Sequence, residues 1–133
     1  YLKQYVPLIN PNYARFIVDE KDELVAFGVA MPSLSRALQR SRGRLLPVGF
    51  VHFIRALKRP RRIDLLLVAV TPEYQGKGIP AVLMAEITKS CLENGIVSAE
   101  TNVELETNTQ VQAMWKHFEA RQHKRRRCYI KNL

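Results

Sequence analysis

The chain lacks the features that mark membrane-spanning, secreted or metal-binding proteins. No apolar run approaches the roughly 20 residues of a membrane span, and no signal-peptide pattern opens the sequence. Its two cysteines, Cys91 and Cys128, and its three scattered histidines have no metal-type or redox spacing. We therefore expect reduced thiols, no metal site and a cytoplasmic location.

Acidic residues are missing from one long basic segment. The net charge is +9, and nine Lys or Arg residues but no acid lie between Arg36 and Arg62. A second basic cluster, HKRRR, covers residues 123–127. This charge favours an anionic partner or a membrane surface, or only solubility. Nucleic-acid binding stays open from charge alone, although no aromatic-basic stacking motif or recognition helix stands out.

Length and composition predict a single globular domain. The 133 residues leave room for one core, and 47% hydrophobic with 25% charged residues exclude a disordered or fibrous chain. The sequence opens on Tyr1 rather than Met, so residues 1–133 are compatible with a piece or a processed form of a longer protein.

The first half of the chain predicts strands separated by helices. Two β-prone runs, 16–19 and 24–30, flank a charged four-residue turn, which is typical of a hairpin. Helical patterns follow, with Ser33 as the predicted N-cap and Gly43 as the predicted stop. The apolar run IDLLLVAV, residues 63–70, then predicts a buried central strand.

The second half predicts a helix, a strand, a helix and a strand. One helix is expected from Pro80 to Asn94, with Gly95 just beyond its end. Strict alternation over 97–105 predicts a strand with one polar face. Thr107 and Gln110 match the capping box of a second amphipathic helix, and the closing RRRCYIKNL predicts a final strand.

A glycine-spaced loop joins the central strand to the first of these helices. Gly76 and Gly78 let the backbone approach a ligand, Lys77 adds charge, and the helix start presents free N–H groups. Such an arrangement binds phosphate. A plain glycine connection between strand and helix explains this feature equally well.

Two phosphate-binding motifs fit the loop poorly. The Walker motif is absent, because no Gly precedes a Gly-Lys-Ser/Thr at the required spacing. GKGIPA formally satisfies the Rossmann fingerprint, and Glu100 follows at a strand end. However, five residues separate the strand from the first glycine, and the chain opens with a hairpin rather than alternating βαβ units.

The stretch VAVTPEYQGKGI resembles the acyl-CoA loop of the GNAT N-acetyltransferase superfamily. That loop follows an apolar strand with Val-x-Pro, an aromatic residue and Arg/Gln-x-x-Gly-x-Gly/Ala. The matching positions are Val70, Pro72, Tyr74, Gln75, Gly78 and Pro80. The order of the later elements and the earlier hairpin also match, so that the resemblance covers about half of the chain.

The resemblance implies an α/β (α+β) fold with a GNAT-like mixed, largely antiparallel sheet, flanking helices and a helical insertion before the central strand. It implies acetyl-CoA or another acyl-CoA as cosubstrate, an amine as acceptor and no metal. Ala69 and Val70 would pair with the pantetheine arm and polarise the acyl carbonyl, and Asn108 would contact that arm. The pyrophosphate would be held by the backbone N–H groups of Gln75, Gly76, Lys77, Gly78 and Ile79.

Two residues depart from the family pattern. Pro80 occupies the last Gly/Ala position and removes one N–H donor, although its fixed φ suits a helix start. Trp115 stands where many members carry a tyrosine that protonates the leaving thiolate, and its indole N–H is a poor acid. Both departures put turnover in doubt.

Three carboxylates are candidates for the base that the chemistry needs. A lysine-like amine with a pKa of about 10.4 is neutral only to a fraction on the order of 10⁻³ at pH 7. Glu100 and Glu104 lie on the polar face of the predicted strand, and Asp64 starts the central strand. A solvated strand face explains the same residues. Neither cysteine has a recognisable base partner, so we expect direct transfer without a covalent enzyme intermediate.

The sequence thus predicts an acyl-CoA-dependent N-acyltransferase with an unknown acceptor. One alternative is a non-catalytic acyl-CoA-binding or membrane-associated module of the same fold, and a nucleic-acid-binding domain is another. The basic insertion from Arg36 to Arg62 would cover a sheet face, close over the acyl chain or acceptor, or lie on an anionic membrane.

Overall fold

The computed structural model describes residues 9–44, 46 and 48–131. The chain divides into two compact units, Tyr1–Val103 and Glu104–Leu133. The first unit contains the sheet and its helices, and the second contains a short helix in its described part. The expectation of a single domain stays a prediction.

Four strands form one mixed sheet in the first unit. They are β1 (Ala14–Val18), β2 (Leu24–Pro32), β3 (Arg62–Val70) and β4 (Ser98–Thr101), and they lie in that order. β1 and β2 pair antiparallel, as do β2 and β3, whereas β3 and β4 are parallel. The predicted hairpin and the predicted mixed sheet with flanking helices are both confirmed.

The insertion between β2 and β3 contains two helices, α1 (Ser35–Arg40) and α2 (Val48–Lys58). Ser33 is not the N-cap of α1, because the helix begins after Leu34 and has no side-chain cap. The left-handed residue that closes α1 is Arg42, with a φ of +51°, and the N–H groups of Arg42 and Gly43 donate to the carbonyls of Gln39 and Leu38. The predicted stop at Gly43, whose φ is +76°, is therefore one residue late.

The connection from β3 to β4 runs through α3 (Ile79–Glu93), whose apolar face covers the sheet. Gly95, with a φ of +71°, closes this helix. The N–H of Ile96 donates to the Cys91 carbonyl at 2.9 Å and that of Gly95 to the Leu92 carbonyl at 3.0 Å. These two bonds form a Schellman motif and confirm the predicted helix end.

The core lies between α3 and one face of the sheet. Its buried side chains come from the segment before β1, from β2 and β3, and from α3 and its end: Tyr13, Ala30, Ile63, Ile87, Cys91 and Ile96. A neighbouring cluster joins β2 to the start of α3 through Val25, Ala26 and Leu83. Val70, at the end of β3, also packs against this second cluster.

One predicted strand is too long, and another is absent from the described residues. β4 covers only 98–101 of the predicted 97–105, and Val103 and Leu105 are exposed. The predicted final strand is absent over 125–131, where Tyr129 and Ile130 are exposed, and 132–133 lie outside the described residues. Alternation shows which face a segment offers, but a strand also needs a partner with free backbone groups.

The second unit contains α4 (Thr109–Met114), continued by a 3₁₀ turn at Trp115–His117. The predicted capping box at Thr107 is wrong, because Asn108 is the N-cap and its Oδ1 accepts from the Val111 N–H at 3.3 Å. Across the described ranges of the chain, no helix combines the length and the apolar character that crossing a membrane takes.

Candidate functional site

The loop between β3 and α3 is fixed at both of its ends. After Thr71 the chain makes a 3₁₀ turn at Pro72–Tyr74 and a tight turn over 75–78, and α3 begins at Ile79. The side chains of Tyr74 and Ile79 pack against the cluster of Val25, Ala26 and Leu83. Both flanks of the loop are therefore attached to a hydrophobic cluster of the first unit.

Both glycines of the tight turn have left-handed backbones. The φ angles of Gly76 and Gly78 are +75° and +79°, values at which a residue with a Cβ is strained. No heavy atom lies within 4 Å of where a Cβ would stand at either position. The space beside the two glycines is therefore open to a ligand.

The loop offers four backbone donors. The Gln75 N–H, one of the five that the sequence suggested, already donates to the Pro72 carbonyl at 3.2 Å. The N–H groups of residues 76–79 donate to no backbone carbonyl of the described residues. Together they form an N–H cradle, the name used below for residues 76–79 at the start of α3.

The electrostatics of this cradle favour an anion. α3 is 15 residues long, and the positive end of its dipole lies at Ile79. Lys77 adds a cation whose Nζ stands 4.7 Å from the centroid of the Tyr74 ring. Pro80, in the first turn of the helix, contributes no N–H.

β3 has an open edge beyond the point where β4 ends. The β3–β4 pairs run from Arg62 opposite Ser98 to Leu65 opposite Thr101, followed by one bond of 3.2 Å from the Asn102 N–H to the Leu65 carbonyl. Among the described residues of this unit, no strand pairs with that side of β3 after Leu65.

A β-bulge at Leu66 reverses which backbone groups face this edge. Ala30 is opposite Leu65 and Val29 is opposite Leu67, so Leu66 is an extra residue in β3. Before the bulge, the carbonyls of Arg61 and Leu65 accept bonds from the β4 side. After it, the Thr71 N–H donates to Val25 of β2, and strand alternation directs the backbones of Val68 and Val70 to the open edge.

The two strand-end residues predicted from the sequence, Ala69 and Val70, therefore direct their backbones to opposite sides of β3. Val70 faces the open edge, and the Gln75 Nε2 donates to its carbonyl at 3.2 Å. Ala69 lies opposite Phe27 and directs its backbone to β2. Val68, like Val70, directs its backbone to the open edge, and the contact of Ala69 with the pantetheine arm stays a prediction. Sequence reasoning missed Val68 because nothing in the apolar run indicates the bulge.

Two of the candidate carboxylates lie side by side where the sheet opens. Asp64 is directly opposite Glu100 in the β3–β4 register, one residue before the last pair. Both belong to the sheet face away from α3, since Ile63 and Leu65 pack into the core. Neighbouring strands lie about 4.7–4.9 Å apart, so these paired residues are direct neighbours on one face of the sheet.

The remaining predicted residues belong to the second unit. Trp115 Nε1 donates to both carboxylate oxygens of Glu104, at 2.9 and 3.0 Å. The Trp115 ring also contacts that of Phe118, with centroids 6.0 Å apart. The Asn108 Oδ1 is occupied by its capping bond, which leaves its amide N–H groups as the donors.

Sequence comparison gives one family. The model of the acetyltransferase (GNAT) family matches residues 1–119. No curated protein sequence matches the chain at a significant level.

Solved structures of similar fold include three proteins of low identity. The tetramutant of the BH1408 protein from Bacillus halodurans has a TM-score of 0.62 and 14% identity, over 98% of this chain and 74% of that one. Aminoglycoside antibiotic 6'-N-acetyltransferase AAC(6')-Ih from Acinetobacter baumannii has a TM-score of 0.58 and 17% identity, over 99% of this chain and 79% of that one. Aminoglycoside N-acetyltransferase AAC(6')-Iy in complex with CoA has a TM-score of 0.60 and 13% identity, over 99% of this chain and 86% of that one. At these identities the likeness is one of fold.

Proposed function

The chain belongs to the acetyltransferase (GNAT) family, and on that premise we propose that it transfers an acetyl group from acetyl-CoA to an amine by direct attack. The observation that carries the proposal is the alignment of three features along β3. The N–H cradle follows its end, the open edge runs back along it, and the Asp64–Glu100 pair stands where the edge begins.

The N–H cradle suits the pyrophosphate of CoA. Four donors, a helix N-terminus and Lys77 all favour a doubly charged group over a neutral one. The open space beside Gly76 and Gly78 is what a phosphate oxygen needs to come within hydrogen-bond distance of the backbone. We assign these residues to the cosubstrate.

The open edge of β3 suits the pantetheine arm. This arm carries amide groups, and an added strand would use the backbone groups of Val68 and the N–H of Val70, since the Val70 carbonyl already accepts from the Gln75 Nε2. From Val70 back to Leu65 the edge is roughly 16 Å long, at about 3.3 Å per residue. An acyl group held at the far end would lie beside Asp64 and Glu100. Asn108 stays a proposed contact of the arm through its amide N–H groups.

Glu100 is our proposed base, with Asp64 as the second candidate. The carboxylate takes a proton from the acceptor ammonium, directly or through one water. The neutral amine attacks the thioester carbonyl carbon and the C–N bond forms. The C–S bond then breaks as the thiolate leaves, and the nitrogen releases its second proton to solvent, which leaves the neutral amide. Glu104 is the weaker candidate, because both of its oxygens already accept from Trp115.

The buried Cys91 is not suited to form a covalent enzyme intermediate. Burial in the core raises the pKa of the Cys91 thiol, which keeps it protonated and a poor nucleophile. Trp115 does not supply a phenol for the leaving thiolate, so we propose that this proton comes from solvent. The competing function is binding of acyl-CoA without turnover.

Binding and turnover are tested separately. Gly78→Ala places a Cβ in the cradle, and we expect CoA to bind at least about tenfold more weakly in calorimetric titration, since charge-assisted bonds contribute about 1.5–3 kcal/mol each. Gly95→Ala is the matched control: it has a similar left-handed φ and open space but lies at the other end of α3. Both variants should lose about 1–2 kcal/mol of stability through backbone strain. Equal loss of CoA affinity in the two would remove the cradle from the proposal.

Turnover is measured as thiol release with a panel of amines, including aminoglycosides and peptide N-termini, in a Cys128→Ser background. We expect Glu100→Gln to lower kcat by about 10²-fold or more at neutral pH with the CoA affinity unchanged. The deficit should shrink as pH approaches the pKa of the amine, because the amine then loses its proton unaided. CoA binding without amine-dependent thiol release would establish the non-catalytic module instead.

A further inference from the structure

Helix α2 exposes several apolar side chains to solvent. Gly49, Phe53, Ala56 and Leu57 lie on its inner, less exposed side. On the other side Phe50, Val51 and Ile54 are 54, 63 and 36% exposed. At 100° per residue these three fall on one stripe with Arg55 and Lys58. We call this stripe, 50, 51, 54, 55 and 58, the outer face of α2.

Two adjoining surface depressions flank the end of this face. One, of about 410 Å³, is lined by Val51 and Ile54 together with Arg55, Lys58 and Arg59. The other, of about 390 Å³, shares Lys58 and Arg59 and adds Arg61, Asn10 and Asn12. An apolar hollow thus continues into a polar, cationic one, with no carboxylate among the lining residues of either.

The charge around these depressions has one sign. From Leu24 to Ile63 the sequence contains no Asp or Glu, whereas nine Lys or Arg lie between Arg36 and Arg62. A cationic helix whose exposed stripe is apolar is the pattern of helices that lie in the headgroup region of anionic bilayers. A nucleic acid would match the charge but would leave Phe50, Val51 and Ile54 in water.

We propose that the outer face of α2 binds the surface of an anionic phospholipid membrane. Phe50, Val51 and Ile54 enter the boundary between headgroups and acyl chains. Arg55, Lys58 and Arg59 contact the phosphates, and the cavity lined by Arg61, Asn10 and Asn12 receives one headgroup. The reaction proposed for the family site plays no part in this inference, which stands on a different part of the fold.

The first experiment is co-sedimentation of the full chain with vesicles. We expect binding to phosphatidylcholine vesicles that contain phosphatidylglycerol, and about tenfold or more weaker binding to phosphatidylcholine alone. The charge-reversal pair Arg55→Glu and Lys58→Glu should weaken binding at least about tenfold, because each surface cation contributes about 1 kcal/mol. Absence of binding to the anionic vesicles at low ionic strength would overturn the proposal.

A matched pair separates this face from net charge. Arg126→Glu with Arg127→Glu removes the same four units of charge from the second basic cluster. We expect this control to keep most of the vesicle binding. If it loses as much as the α2 pair, the attraction is diffuse and the assignment to α2 is wrong.

The apolar part has its own control. Phe50→Ser with Ile54→Ser should reduce vesicle binding about tenfold or more. Val82→Ser with Leu92→Ser, at exposed positions of α3, should leave it unchanged. Thermal melts of each variant without vesicles check folding. Two results together would identify a polyanion site and overturn the lipid assignment. They are that the variant with Phe50→Ser and Ile54→Ser still binds heparin or RNA, and that it still binds vesicles.

A spectroscopic measurement does not depend on affinity. Val51→Trp should show a blue-shifted emission when phosphatidylglycerol vesicles are added, whereas Leu92→Trp should not. Trp115 is present in both variants and contributes the same background. Equal emission spectra of Val51→Trp with and without vesicles would contradict insertion of this face.

Discussion

At the residue scale, single positions determine the backbone conformation of the loop after β3. The two loop glycines were predictable from the sequence, because a left-handed φ near +75° favours glycine. Their spacing can therefore be recognised without the structure. The role of Val68 was not, because it depends on a bulge opposite Val29 and Ala30, far away along the chain. The Gln75 contact with Val70 was also missed, since a side chain that caps a strand end has no periodic signature.

Pro80 is the residue where the loop departs from its family, and it gives a prediction at this scale. Pro80→Ala restores one N–H at the start of α3, beside the cradle. A net hydrogen bond contributes about 1 kcal/mol, so we expect CoA to bind about fivefold more tightly in calorimetric titration. The free protein should lose about 0.4–1 kcal/mol of stability, since proline restricts the unfolded chain.

Pro80→Ser controls for the identity of the new side chain, because it restores the same N–H. Tighter binding by both variants supports the missing donor as the cause. Unchanged or weaker binding by both would mean that the proline does not limit the cosubstrate affinity.

At the scale of elements, the sequence predicted those whose partners are close along the chain. β1 and β2 form a hairpin, and the end of α3 is closed by Gly95 and Ile96 next to it. β4 was predicted too long because its alternation continues to Leu105, while pairing stops at Thr101. Just beyond that pair, the bulge at Leu66 changes which backbone groups β3 presents. The sequence of 97–105 itself carries no sign of this bulge.

Close packing of β2 on α3 gives a prediction for these two elements. A Cβ on Gly28 would stand 2.9 Å from the Cδ1 of Ile87, which is buried in the core. We expect Gly28→Ala to lower the free energy of unfolding by about 1–2 kcal/mol through overpacking, measured by urea denaturation.

Ile87→Val removes the Cδ1 that causes this contact and by itself costs about 0.5–1.5 kcal/mol. In the double variant the two losses should therefore be less than additive, by about 0.5 kcal/mol or more. Strict additivity would show that β2 and α3 are not in close contact at Gly28.

At the scale of the whole molecule, ionisation connects the core to the stability of the fold. Tyr13 and Cys91 belong to the same buried cluster, and burial raises the pKa of both above their ordinary values of 10.0 and 9.0. Proximity of Cys91 raises the pKa of Tyr13 further, because one negative charge disfavours the other. Both groups are thus held neutral in the folded state.

The direction of the pH dependence follows from these raised pKa values. Above about pH 9 the unfolded chain releases protons that the folded chain retains, so the free energy of unfolding falls as pH rises. The stabilisation is complete below the ordinary pKa values and is lost as pH rises toward the raised ones. We expect the urea midpoint to decrease between about pH 8 and pH 10.5.

The contribution of Tyr13 is isolated by Tyr13→Phe, which keeps the ring and removes the ionising hydroxyl. This variant should show a shallower decrease of the midpoint with pH than the unmodified protein. Tyr129→Phe, at a position that is 82% exposed, is the matched control and should keep the full decrease. Identical slopes for Tyr13→Phe and the unmodified protein would mean that the buried phenol does not couple folding to pH. Removing its hydroxyl would then have left the number of protons released on unfolding unchanged.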